Sequence, residues 1–209
     1  MEDVLELYSK PYDPQRPLIC VDERPCYLIG DVIQPVPMQA GQAKREDFQY
    51  SKHGQCTLFM AFEPLTGQRW ARVYSQRRAQ EYTAFMHFVS QQFSGAHQIV
   101  VVQDNLNTHQ PGSFYAHLEP GVAFGLARRF EWHYTPKHAS WLNMVELEFS
   151  ALSKQCLDRR IADVGVLERE VLAWVKDRNV ARVGVGWQFS VGAAREKFAR
   201  HYESASKLT

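Results

Sequence analysis

The sequence offers no C-x-x-C pair and no close Cys–His spacing. Its four cysteines, Cys20, Cys26, Cys56 and Cys156, are scattered, which excludes a zinc knuckle and a disulfide framework and points to a reduced, intracellular chain. No apolar run approaches the ~18 residues of a membrane span. The opening MEDVLELYSKPYD is acidic and amphipathic rather than basic and then apolar, so it does not read as a signal peptide. The expectation is a soluble, cytoplasmic protein with no membrane partner. Charge of one sign is also missing. Lys+Arg 24 against Asp+Glu 23 leaves +1, so the overall balance does not announce a nucleic-acid binder, although a local basic face stays open. Gly184-x-Gly186 lacks the third glycine of a dinucleotide fingerprint. Repeats and low-complexity tracts are absent too. What remains is a chain of 209 residues with 45% hydrophobic content, enough for one well-filled core.

The most informative stretch is Ile99 to His109, IVVVQDNLNTH. Its apolar run reads as a buried strand that delivers Asp104 at its C-terminal end, where open α/β sheets place their chemistry. Asn105, Asn107, Thr108 and His109 follow as a polar cluster suited to capping the next helix or lining a site. Leu18-Ile19-Cys20-Val21 repeats the pattern, ending in Asp22 and Glu23, with Arg24 and Pro25 closing the strand.

Around these two strands the remaining elements follow from periodicity. Glu2 to Ser9 forms a short helix in a lead-in segment, residues 1–17, that Pro11, Pro14 and Pro17 then break. Tyr27 to Gln55 reads as largely irregular and exposed. A β-hairpin follows, with Gly67 in its turn and one face of Trp70, Arg72 and Tyr74 toward water. Glu81 to Phe93 has helical spacing and crosses over to the strand at Ile99. A helix starting late within Asn107 to Leu118, a strand RFEWHY from Arg129 to Tyr134, and a helix capped by Ser140 and running to about Leu157 come next. Further helices cover Val164 to Val175 and Val191 to Tyr202. Lys44, Arg45, Arg77, Arg78 and Glu148 are expected to face solvent, and Trp132 and Trp141 to sit in the core.

Three acids thus occupy comparable places: Asp22, Asp104, and either Glu146 or Glu148, which flank the apolar stripe of the last long helix on opposite sides. If they converge at one end of the sheet they would repel one another without a cation. Hard carboxylate oxygens are what paired magnesium ions need to promote phosphoryl displacement.

Val21-Asp22-Glu23, then QDNLNTH from Gln103 to His109, then Trp141-Leu142-Asn143-x-x-Glu146, together with Gly186-Trp187-Gln188-Phe189, resemble the catalytic domain of bacterial insertion-sequence transposases of the mariner-like DDE superfamily. The resemblance runs from about Glu2 to Tyr202. It implies an α/β, RNase H-like mixed sheet flanked by helices over residues 18–203, including the C-terminal helices. It also implies Asp22, Asp104 and Glu146 as catalytic and metal-binding residues, and here the motif selects Glu146 over Glu148. The implied cofactor is Mg2+ or Mn2+, two ions. The implied partner is DNA, as transposon ends and target, with a homodimer left open. Asn105 and His109 would then support the metal ligands or touch DNA, although a capping or core-facing role for His109 is equally open.

Two features depart from the family pattern. Residues 105 to 145 put 41 positions between Asp104 and Glu146, with the extra length expected in a loop from Glu119 to Gly125. Trp141 and Met144 stand where many relatives have prolines. Such relatives also carry an N-terminal helix-turn-helix domain that is not read here, which points to a truncated copy, a split frame or a fragment. Competing expectations are a decayed, non-catalytic DNA-binding or interaction module, and an RNase H-like nuclease.

Overall fold

The computed structural model describes residues 1–106 and 109–200. Five strands form one sheet in the order β3-β2-β1-β4-β5. The strands are β1 (Leu18–Asp31), β2 (Tyr50–Glu63), β3 (Gln68–Tyr74), β4 (Ile99–Gln103) and β5 (Phe130–Tyr134). The first three pair antiparallel as a meander, and β4 and β5 join it in parallel. Parallel neighbours need crossovers, and α2 (Ala79–Gln92) supplies the one into β4 while α3 (Gly112–His117) and α4 (Pro120–Arg129) supply the one into β5.

Helices cover both faces, which is why β4 is apolar at every position from Ile99 to Val102. On one face Cys20, Met60, Phe62, Val100 and Val102 pack with α1 (Glu2–Ser9), α5 (Val145–Gln155) and α6 (Val164–Val180). On the other, Ile19, Val21, Phe59 and Val101 pack with α2, α3 and α4. The last described helix is α7 (Val191–Lys197). It ends at Lys197, with Phe198 as its C-cap, short of the expected Tyr202; residues 201–202 of that expected span lie outside the described residues, as do Asn107 and Thr108.

Several expectations need correction. Pro25 does not close β1, which runs on to Asp31 and pairs with β2 as far as Tyr50. β4 accompanies β1 only from Leu18 to Cys20, so Pro25 stands where β1 has a single strand neighbour, an edge-like position that tolerates a missing N–H. The irregular segment is therefore residues 32–49 rather than Tyr27 to Gln55. Glu119 to Gly125 is not a loop. Pro120 opens α4 at a position where its lost N–H costs nothing, and Ala123 and Leu126 bury its inner face. Ser140 caps no long helix. It begins a 3-10 turn, Ser140–Leu142, and α5 starts separately at Val145. α6 continues to Val180.

β2 ends on a buried acid with a pH consequence. The Thr66 hydroxyl donates to Glu63 Oε2, Oε1 has no hydrogen-bond partner among the described residues, and burial raises the pKa. Both folded and unfolded chains carry the neutral acid below the ordinary glutamate range. Stability is lost as pH rises from that range through the raised folded value. Glu63→Gln will therefore match the parent near about pH 4 and exceed it by about 1 kcal/mol near about pH 8, a Tm gain of roughly 2 to 4 °C. Equal Tm values at both pH values would contradict this.

Candidate active site

Strand register builds the site. The parallel pairing Cys20↔Val102, continued by two residues, sets Asp22 level with Asp104 just beyond the end of β4. The 3-10 turn and α5 then approach the same end. Asn143 Nδ2 donates to Val21 O at 2.9 Å and to Asp22 Oδ2 at 3.3 Å, and Tyr8 Oη donates to Leu142 O at 2.6 Å. Arg24, on the Asp22 side of β1, donates to Phe149 O and Ser153 Oγ of α5. Glu146 lies exposed on the first turn of this anchored helix.

Asp22 and Glu146 both sense the charge of Asp104. Burial, then the neighbouring Glu23, and then Asp104 and Glu146 push Asp22 up to about 7, although the Glu23 N–H donates to its Oδ1 at 2.8 Å. Partial loss of hydration and the charge of Asp104 raise Glu146, against the pull of Arg24. Among the described residues no three His, Cys, Asp or Glu side chains are already grouped as a metal-holding set. The donor chemistry nevertheless fits a divalent cation: oxygen ligands only, carrying a mutual repulsion that a hard cation relieves.

His109 lies against Asp104. It is buried, with Nδ1 2.5 Å from Asp104 Oδ1 and Nε2 2.9 Å from Glu23 Oε2, and its ring stacks on Tyr82 at 4.6 Å. Gln103 braces the His109 backbone: its Nε2 donates to His109 O while its Oε1 accepts from Tyr82 Oη. Burial pulls the imidazole pKa down, but the hydrogen bonds and charges of Asp104 and Glu23 outweigh it and hold His109 at about 9. At neutral pH the ring is an imidazolium donating to a carboxylate on each side. Asn105 is exposed.

Glu23 is the functional neighbour that pattern reading passed over. Its signal was the strand period: Ile19, Val21 and Glu23 share a face, and an acid at the end of an apolar row needs partners. It has them in His109 and in Arg77, whose Nε pairs with Glu23 Oε1. Arg77 is exposed, as expected, and its guanidinium also pairs with this acid. Glu148 also departs from expectation, being 1% exposed and paired with Arg69 and Arg178. Trp132 packs against the core, whereas Trp141 is exposed and stacks on Trp187.

The family model described as DDE superfamily endonuclease matches residues 17–168. No curated protein matches the sequence. Among solved structures, the Mos1 mariner paired end complex with Mn superposes with a TM-score of 0.57 at 12% identity, covering 87% of this chain and 55% of that one. The corresponding complex with Mg gives 0.56 at 13% identity, covering 92% and 60%. The Mos1 Strand Transfer Complex gives 0.56 at 11% identity, covering 87% and 56%. The chain thus spans a little over half the length of these structures, and at such identities the likeness is one of fold: a mixed five-stranded sheet between helical layers, RNase H-like as expected.

Proposed function

Because the chain belongs to the DDE superfamily of endonucleases, we propose that it carries out divalent-metal-dependent DNA strand cleavage and strand transfer, the catalytic work of a mariner-like transposase. The observation that carries this reading is the register that sets Asp22 level with Asp104, with Glu146 brought to the same sheet end by α5. Asp22 and Asp104 would hold two Mg2+ or Mn2+ ions, and Glu146 would complete the ligand set. When bound, such ions supply the Lewis acid that activates water, and then a 3′-hydroxyl, for in-line attack at phosphorus. The protein's part is positioning. Asn143 pins one Asp22 oxygen, His109 holds Oδ1 of Asp104, and Glu23 fixes His109 from behind. The four cysteines are all free, which suits a reducing, cytoplasmic setting. No described helix is long and apolar enough to cross a membrane.

DNA, as transposon ends and target, is the proposed substrate, in keeping with the transposon-end and strand-transfer complexes of Mos1. The experiment is Mg2+- or Mn2+-dependent cleavage of labelled duplex DNA, RNA/DNA hybrid and junction substrates. Duplex cutting supports the transposase reading, hybrid preference supports an RNase H-like nuclease, and no cutting of any substrate supports a decayed module.

A homodimer is also proposed, carried by the long β1–β2 hairpin. Its outer part exposes Phe48 (85%), Met38 (76%) and Tyr27 (70%), large apolar side chains concentrated where isolated exposure is the norm. Sedimentation should give a dimer for the parent chain and a monomer after Met38→Ser with Phe48→Ser. A parent chain that sediments as a monomer at tens of micromolar overturns the dimer.

A further inference from the structure

Two residues beyond Glu146, on the opposite side of α5, Glu148 sits in a buried ionic cluster. Arg178 Nε and Nη2 reach its two oxygens at 3.0 and 2.9 Å, and Arg69 Nε lies 2.8 Å from Oε2. Arg69 is itself immobilised: its Nη2 donates to Val183 O at 2.6 Å, its backbone N–H donates to Asn179 Oδ1 at 2.9 Å, and its guanidinium lies over the Phe62 ring. Stability does not account for such a cluster. Removing charges from water costs about what the pairing returns, and apolar residues of similar volume are often as stable or more so. What apolar packing does not supply is angle, because a carboxylate gripped by an arginine fork has one orientation.

The cluster ties α5 to the sheet that bears the proposed site. Register runs Cys20↔Phe62 and Phe62↔Arg69, so Arg69 stands in the cross-strand row that begins two residues before Asp22. Residues two apart on a helix point about 200° apart. Gripping Glu148 inward therefore sets where Glu146 points. Side chains reach roughly 5 to 6 Å from a helix axis, so a turn of about 20° moves a carboxylate by roughly 2 Å. A misplacement of about 1 Å in a reacting constellation costs on the order of a hundredfold in rate.

Resting on the proposed metal site, we infer that Glu148 is a positioning residue: clasped by Arg69 and Arg178, it fixes the rotation of α5 so that Glu146 faces Asp22 and Asp104. The test compares the full chain with two variants. Arg178→Lys keeps the charge and loses the fork, and the triple change Arg69→Met, Glu148→Met, Arg178→Met replaces the cluster by apolar volume. Each is measured for Tm, for Mn2+ affinity by EPR titration, and for the orientation of α5 in a crystal structure. The triple variant is expected to keep Tm within a few degrees, bind Mn2+ roughly tenfold more weakly, and lose nothing further when Glu146→Gln is added, whereas the parent loses that same factor. Arg178→Lys is expected to lose severalfold at nearly unchanged Tm. Parental Mn2+ affinity in the folded triple variant, or an equal cost of Glu146→Gln in both backgrounds, overturns the inference. If the triple variant does not fold, unchanged affinity in Arg178→Lys overturns it alone. A parent chain that takes up no Mn2+ sinks the metal site instead. In that case the crystal structures decide the positioning role, and an unrotated α5 overturns it.

Discussion

Asp104→Asn will abolish metal-dependent cleavage and, with it, the stabilisation that Mn2+ gives the folded chain. The substitution keeps shape and a hydrogen-bonding oxygen and removes the charge that faces Asp22 and Glu146. A bound cation contributes several kcal/mol of transition-state charge stabilisation, and at about 1.4 kcal/mol per decade its loss lowers the cleavage rate by roughly a thousandfold or more. The thermal readout is independent of substrate. At 100 times its dissociation constant a cation adds about 2.7 kcal/mol to the parent, a Tm rise of roughly 5 to 10 °C for a chain of this length, and Asp104→Asn should show almost none of it. Without cation the variant should be no less stable than the parent by more than a few degrees. It loses one ion pair with His109, yet it relieves the repulsion that raises Asp22 and Glu146. Retained cleavage in this variant would remove Asp104 from the metal site.

Gly67→Ala will be among the most damaging single-atom-scale changes outside that site. Gly67 turns β2 into β3 with φ +69°, a conformation that costs an L-residue about 1 to 2 kcal/mol. A Cβ there would also lie 2.6 Å from Arg182 C and 2.9 Å from Gly184 N, backbone atoms that move only with their segment. That segment is held by Val185 N donating to Pro64 O and by Val183 O accepting from Arg69. Pushing it away strips Arg69 of a partner. The combined cost is about 3 kcal/mol or more, or roughly 6 to 12 °C in Tm. Gly95→Ala, where a Cβ meets nothing within 4 Å, should change stability by no more than about 0.5 kcal/mol. A Gly67→Ala protein as stable as Gly95→Ala would refute the close approach.

The sheet was legible where local pattern and tertiary burial agree. β4 is an unbroken apolar run, α2 has a clean helical stripe, and Gly67 marks the hairpin turn. Elements were missed where a distant partner decides. Pro25 looks like a stop until β1 is seen to have one strand beside it. Gly121 and Gly125 disguise α4, whose helix is held by the core against Ala123 and Leu126. Glu148 carries the same local signature as a solvated glutamate, and its partners come from β3 and α6. For the site, Asp104 could be picked from a strand end and Asp22 from the close of an apolar run, but the choice between Glu146 and Glu148 required a motif. No periodicity could pair His109 with Glu23, since both are polar residues beyond apolar runs and their meeting depends on β1 and β4 lying side by side.

The split of the sheet into an antiparallel meander and two parallel additions also orders its assembly. β1, β2 and β3 are sequence neighbours and can zip locally, whereas β4 and β5 must wait for helices to close long loops, a slower, higher-contact-order step. Asp22 belongs to the early part. Asp104 arrives with the first crossover, and Glu146 only after the second. A chain released before α5 is complete carries two of the three acids on a partial sheet, so the proposed metal site is the last part of the fold to be assembled.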